Sequence, residues 1–424
     1  MKHIKLIFCG LLLLALLLFP QLVPNPYYIH LLVVIGIYTI LLFGLDIVVG
    51  YTGEISLGHA GLFGIGAYAA GVMFTQVGAP FWLALPTAIV ITAAFGALLA
   101  VPALRVTGPY LAMVTLAFGT IAQILINEMD FLTNGPQGLQ VLKPVIFGQR
   151  ATAVDFYYFT LLAVLLALLV VHRALNSYIG RAFEALRGSP VACDCMGVSV
   201  YRSKVLAFVM SAGFAGLAGG LYAFSEEYIA PSNFNFEMTI LFLLAITLGG
   251  RKTRSGAVLG AAIVVLLPNL LSDIQLFREL TVLIAVLVAL GSLYAVLKTR
   301  TTLHQLAIPL LALAVFVVFA LTLEEITEHR LTIFGLMILG VVYYLPDGIV
   351  GYLVRLAKRV RPDWLTTPAL SAEHGSDAHV WSPPKQHDTG KPLVQAHGIV
   401  MQFGGLKALD SVTIDVMPGS VHGL

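Results

Sequence analysis

The stretch HLLVVIGIYTILLFGLDIVVGYTGEISLGHAGLFGIGAYAAGVMFTQ, residues 30–76, decides the fold. Up to Val49 it holds no Lys or Arg and one acidic residue, Asp46. A helix that crosses a bilayer needs roughly 20 mostly apolar residues, so the run predicts a span over 28–50. The second half predicts another over 57–77, but it carries glycines at 50, 53, 58, 61, 64, 66 and 71. Two readings follow. The Gly58/Gly61 and Gly64/Gly71 spacings put small residues on shared helix faces, which lets helix backbones approach closely in lipid. Alternatively the helix is broken and lines a polar path, because irregular backbone at membrane depth must be covered by protein or water. Glu54, Ser56, Gly58 and His59 are then candidates for a translocation path, and ionisable groups inside a membrane are functional candidates by default.

Outward from this stretch the apolar runs continue. Further spans are predicted at 6–24, 81–101, 109–128, 156–174, 203–224, 236–250, 256–272, 279–297, 303–322 and 331–349. The 57–77 segment is Gly-rich and 236–250 is short, so either is open to being broken or re-entrant. The 424-residue chain is 58% hydrophobic and 11% charged, against roughly 25% charged for a soluble domain. The fold class expected is an all-α polytopic membrane protein with about 10–12 transmembrane helices. The N-terminus has no small-residue cleavage site before Pro20, Pro24 and Pro26, so 6–24 reads as an uncleaved first span.

Basic residues orient the spans, because short cytoplasmic loops carry the excess of Lys and Arg. With the N-terminus inside, the inner loops hold Lys2, Lys5, Arg105, Arg173, Arg181, Arg187, Arg202, Lys204, Arg251, Lys252, Arg254, Lys298, Arg300, Arg355, Lys358, Arg359 and Arg361. The outer loops hold Lys143, Arg150, Arg278 and Arg330, and the acids Glu226, Glu227, Glu324, Glu325 and Glu328 also fall outside. Both termini are expected in the cytoplasm.

Three cysteines, Cys9, Cys193 and Cys195, are too few for a disulfide framework. No metal-ligand cluster and no nucleophile–base set is present, so no catalytic residue, no metal site and no cofactor of this chain's own is expected. In PALRVTGPYLAMVTLAFG, 102–119, Pro102 closes one span, Arg105 anchors the interface, and Gly108-Pro109 opens the next with proline at the first helical position. In SYIGRAFEALRGSPVACDCMGVSVYRSK, 177–204, Ser189 is a good N-cap, Pro190 a good first residue, and Gly197 suits a left-handed C-terminal cap. That predicts a short helix over 190–196 in a basic loop. One reading makes it an ordinary surface loop, the other a knob that docks on a partner. After Arg361 the chain turns polar and rich in Pro and His, reading as a flexible linker over 361–392. Strands are predicted at 393–403 and 412–416, with a turn at Gly404-Gly405 and the start of a third strand at Ser420.

Taken together, GYTGEISLGHAGLFGIGAYAAG, PALRVTGPYLAMVTLAFG and GRAFEALRGSPVACDCMGVSVYRSKVLAFVMSAGFAGLAGGLYAF, followed by YIAPSNF and LGG, resemble the permeases of branched-chain amino acid ABC importers. The resemblance covers about residues 30–272 and 331–351. It implies a permease domain over 1–360 that moves branched-chain or related hydrophobic amino acids across the bacterial inner membrane and is not itself an enzyme. It implies partners: a second related permease subunit, ABC ATPase domains and a periplasmic substrate-binding protein, with no nucleic acid. The 177–204 loop resembles that family's ATPase-coupling element, with Arg181, Glu184, Ala185, Arg187, Ser189, Pro190 and Gly197 at the coupling positions. Two alternatives stand beside it: a permease of the same group for urea or short amides, and an ion-coupled secondary transporter. The second is disfavoured because Asp46, Glu54 and Glu237 lie near span ends rather than at the midplane.

The sequence departs from the family pattern twice. An extra helix pair occupies about 273–330. The tail LVQAHGIVMQFGGLKALDSVTIDVMPGSVHGL, 393–424, resembles the first strands of the matching ABC ATPase, where an aromatic placed like Phe403 stacks on adenine. The fold expectation therefore adds a short, incomplete β segment of an ATPase domain. No phosphate-cradling Walker A loop is present through Leu424, so ATP and Mg are expected at an associated complete ATPase, and the reading frame is expected to continue into one.

Overall fold

The structure is a computed structural model that describes Gly10, residues 14–103, 106, 108–146, 149–272, 348–351, Pro392, 394–403 and 406–417. The spans predicted at 279–297 and 303–322, nearly all of 331–349, Arg105, and all of the 361–392 linker but Pro392 lie outside the described residues. The chain divides into two compact units, Met1–Trp364 and Leu365–Leu424.

In the first unit, residues 14–22 are helical. Helix α1 (Pro26–Asp46) follows, N-capped by the Asn25 side chain, which accepts from the Tyr27 amide. Then come α2 (His59–Thr75), α3 (Phe81–Ala103), α4 (Pro109–Glu128), α5 (Ala153–Leu175), α6 (Tyr178–Gly188), α7 (Pro190–Cys195), α8 (Val200–Glu226), α9 (Phe236–Gly249) and α10 (Arg254–Ser272). Among the described residues five helical segments are long and apolar enough to cross a membrane: Pro26–Thr52, α3, α4, α5 and α8. His59–Thr75, Phe236–Gly249 and Arg254–Leu266 are shorter apolar helices. The protein is thus an all-α polytopic membrane protein, and each predicted span between 28 and 272 coincides with one of these helices.

Polarity is inverted relative to a soluble protein. Leu83, Val90 and Leu98 on α3 and Leu162, Leu166 and Leu169 on α5 are exposed apolar residues, as a lipid-facing surface requires. The interior is close-packed, with Phe43, Phe63, Phe208, Phe224, Phe234 and Phe242 fully buried or nearly so. Helix α8 is central and packs on α3, α2 and α1. Glycines make these contacts close: a Cβ on Gly66 of α2 would stand 2.6 Å from Gly216 Cα of α8, and one on Gly61 would stand 2.8 Å from Gly119 Cα of α4. The packing reading of the glycine spacing therefore holds.

The helix interruption is also real. Helix α1 runs on through a π-helical turn, Ile47–Thr52, and stops at Gly53 in the left-handed region, φ 77°. Residues 53–58 are non-helical, and α2 begins at His59. With 17 residues, α2 alone reaches only about 25 Å, short of a hydrocarbon core of roughly 30 Å.

At one end of the bundle β1 (Leu139–Gln140) pairs antiparallel with the Tyr228–Ile229 strand, and the Lys143 ammonium lies 2.9 Å from Glu227. Helix α9 starts there, capped by Asn235 Oδ1, which accepts from the Met238 amide at 2.9 Å. The second unit is an antiparallel hairpin of Val394–Phe403 and Leu406–Val416. Its second strand is longer than the expected 412–416. The extra length carries register shifts and a positive φ at Ser411, 54°, so the alternation that marks a strand in sequence is interrupted.

Candidate functional site

The site is assembled where the helix break meets the 177–204 loop. Sequence reasoning expected one helix there; the structure has two. Helix α6 was missed although it is amphipathic: Gly180, Phe183 and Leu186 are buried and Ile179 packs on the core, while Arg181, Glu184 and Ala185 are exposed. Its N-cap, Ser177, accepting from the Ile179 amide at 3.2 Å, was the available signal. Helix α7 forms as predicted, one residue shorter. Ser189 Oγ accepts from the Ala192 amide at 3.2 Å, Pro190 stands in the first turn, and Gly197 turns the chain with φ 78°.

This helix pair is fastened to the break. The Arg187 guanidinium Nη1 donates to the Gly50 carbonyl at 2.8 Å. Its aliphatic stem lies over Gly53, where a Cβ would stand 2.9 Å from Arg187 Cγ. A third segment joins in. Lys252 Nζ lies 3.2 Å from Glu184 Oε1 and sits 5.7 Å over the Tyr51 ring. The Lys252 amide donates to the buried Asp46 carboxylate at 2.9 Å, and Tyr51 Oη donates to the Lys252 carbonyl at 3.3 Å. Lys252 and Asp46 escaped sequence reasoning because their partners are remote in sequence.

The four path candidates are placed as follows. Glu54 Oε1 pairs with Lys204 Nζ at 2.5 Å, with side chains 14% and 5% exposed. Ser56 and His59 are fully buried: Ser56 Oγ meets His59 Nδ1 at 2.8 Å, and His59 Nε2 meets Ser211 Oγ of α8 at 2.7 Å. Gly58 is pressed against the Thr115 carbonyl of α4. Amides at the start of α2 find hydroxyls on other helices, Leu57 on Thr115 at 2.9 Å and Ala60 on Thr239 at 3.2 Å. Ala60 is one of the amides that a helix start leaves without an intrahelical partner, and here a neighbouring helix supplies the acceptor. Ser56, Gly58 and His59 are thus buried, Glu54 and Leu57 are partly buried and Ile55 is exposed, and α2 and α8 touch along Gly66–Gly216.

The arrangement joins three segments that are remote in sequence. It ties an exposed helix pair to the interrupted backbone by charge-assisted bonds, and no group in it is poised as a nucleophile. Among the described residues no group of three potential metal ligands exists. Phe403 closes the first strand of the terminal hairpin opposite Leu406.

Residues 27–288 match the family described as branched-chain amino acid transport system / permease component. The chain belongs to that family of ABC transporter permeases. It is 38% identical over 272 residues to the high-affinity branched-chain amino acid transport system permease protein LivM of Salmonella typhimurium, covering 58% of this chain and 63% of LivM. The Escherichia coli LivM is 37% identical over the same length and coverage. The chain thus spans less than two thirds of the length of these relatives. A further 60 residues are 37% identical to the arabinose import ATP-binding protein AraG of Azospirillum brasilense, 14% of this chain and 12% of AraG. No solved structure matches. The family match and the long apolar helices make the protein a membrane-embedded permease component.

Proposed function

We propose that this chain is the translocating subunit of an ATP-driven importer for branched-chain amino acids, with α6 and α7 as its contact to the ATPase. The carrying observation is the Arg187–Gly50 bond, which joins the exposed helix pair to the break between α1 and α2. ATP closes two ATPase domains, α7 moves with them, and Arg187, Glu184 and Lys252 pass that displacement to the interrupted backbone. A related permease, two ATPase domains and a periplasmic binding protein complete the machine. The basic residues around this joint orient it to the cytoplasm of a bacterial inner membrane. Similarity to LivM supports the substrate class. The 393–424 segment opens an ABC ATPase domain in this reading, supported by the hairpin and the AraG similarity; ATP and Mg act at a complete domain, where Phe403 stacks on adenine.

A cysteine at Val191 or Ala192, both exposed on α7, is expected to crosslink to the ATPase in the reconstituted complex, with a yield that changes on nucleotide binding. Replacing Gly197 by Val forces a β-branched residue to φ 78°. It is expected to leave ATP turnover standing while uptake of labelled branched-chain amino acids falls. Normal uptake by that variant, together with absent crosslinks, would falsify the coupling assignment.

A further inference from the structure

Helix α4 is the least buried of the five long helices. It also carries polar groups where lipid would be expected. Thr120 lies eleven residues past Pro109, about 16 Å along a helix of about 30 Å, and is exposed. Gln123 follows one turn later and is partly exposed. Polar side chains at that depth normally face protein or water rather than hydrocarbon.

These groups border a shallow, open groove between α4, the start of α2 and the start of α9. The Gly61–Gly119 contact brings the α2 and α4 backbones together at its floor. Two amides stand at its wall with their orientation fixed by their partners. Gln123 Nε2 donates to the Pro231 carbonyl at 3.4 Å, so its Oε1 is the end left over, and no donor among the described residues meets it. Asn235 Oδ1 accepts from the Met238 amide at 2.9 Å, so its Nδ2 is the end left over, and no acceptor among the described residues meets it. The groove therefore presents one neutral acceptor and one neutral donor beside apolar Leu116 and Phe236.

We infer that this groove is one wall of the translocation path, taking the α-ammonium on Gln123 Oε1, the α-carboxylate on Asn235 Nδ2 and a branched side chain on the apolar residues. The inference rests on the amino-acid import reading above and places passage along the outer side of α2, beside Leu57. Neutral partners hold a zwitterion loosely, which suits transit; a charged partner would retain it.

The test uses the complete reconstituted importer with Cys9, Cys193 and Cys195 replaced by alanine. Gln123→Cys and Asn235→Cys are compared with Leu166→Cys on α5, an exposed apolar position. A membrane-impermeant charged thiol reagent is expected to modify positions 123 and 235 at least about 50-fold faster than 166, reflecting the penalty a charge meets in hydrocarbon. Turnover with leucine-loaded binding protein is expected to slow modification at 123 and 235 and leave 166 unchanged. Modification of 123 and 235 as slow as at 166, or rates indifferent to substrate, overturns the inference. Protection by a solute other than an amino acid supports the path and overturns the import reading instead. Gln123→Leu, which keeps the volume, is expected to lower uptake about tenfold, the loss of a hydrogen bond to a charged group; wild-type uptake counts against the wall.

Discussion

At the scale of single residues, the joint depends on pairs whose partners are distant in sequence. Lys204 is 5% exposed and its ammonium is balanced by Glu54. Removing one member of an enclosed ion pair strands the other, at a cost of about 3–5 kcal/mol, whereas replacing both by groups of similar shape is often close to neutral. Lys204→Met alone is therefore expected to lower the midpoint of thermal unfolding in detergent sharply, and Glu54→Gln with Lys204→Met to recover most of the loss. Additive losses in that cycle would sink the pairing. Residues whose role is local were legible in sequence: Ser189, Pro190 and Gly197 announce a cap, a first turn and a stop through chemistry within a few positions. Glu54 was legible as an intramembrane acid, but its partner Lys204 read only as one more basic residue of an inner loop. Likewise His59 stood out, while Ser211, which binds its other ring nitrogen, is one hydroxyl among many in an apolar helix. Nothing local marks such a partner; it is chosen by the crossing of α2 and α8.

At the scale of elements, glycines divide into those that hold helices together and those that do not. On α2 Gly66 meets the α8 backbone, and an added methyl must displace main chain. On α6 Gly188 has nothing within 4 Å of where a Cβ would stand, and its φ is not positive. Gly66→Ala is expected to destabilise by about 1–3 kcal/mol through overpacking. Gly188→Ala is expected to be neutral or to stabilise by about 0.4–1 kcal/mol by restricting the unfolded chain. Thermal unfolding of the two variants side by side checks the contrast, and equal shifts would contradict it. The spans were legible because length and hydropathy set them one at a time, and the broken helix was legible because seven glycines in 22 residues do not make an ordinary span. Helix α6 went unread although Ile179, Phe183 and Leu186 recur at helical spacing, because its eleven residues sit in a charged loop too short and polar to mark a span, and the hairpin's second strand was hidden by its bulge.

At the scale of the whole transmembrane unit, the helices alternate so that Arg187, Lys204 and Lys252 gather at one end while Lys143, Glu226 and Glu227 gather at the other. Exposed Cys195 belongs to the first end. A membrane-impermeant thiol reagent is expected to label Cys195 in inverted vesicles and spare it in right-side-out ones, with a cysteine at exposed Val77 behaving oppositely; the reverse pattern would invert the topology. One consequence follows from the length of α8. Its 27 unbroken residues make a rod of about 40 Å that begins beside α7 and finishes at Glu226, within reach of His30. A rod so placed is a lever arm: a tilt of about 5° at its foot swings its tip by about 3–4 Å, enough to shift the loops at the far face with no internal rearrangement at all.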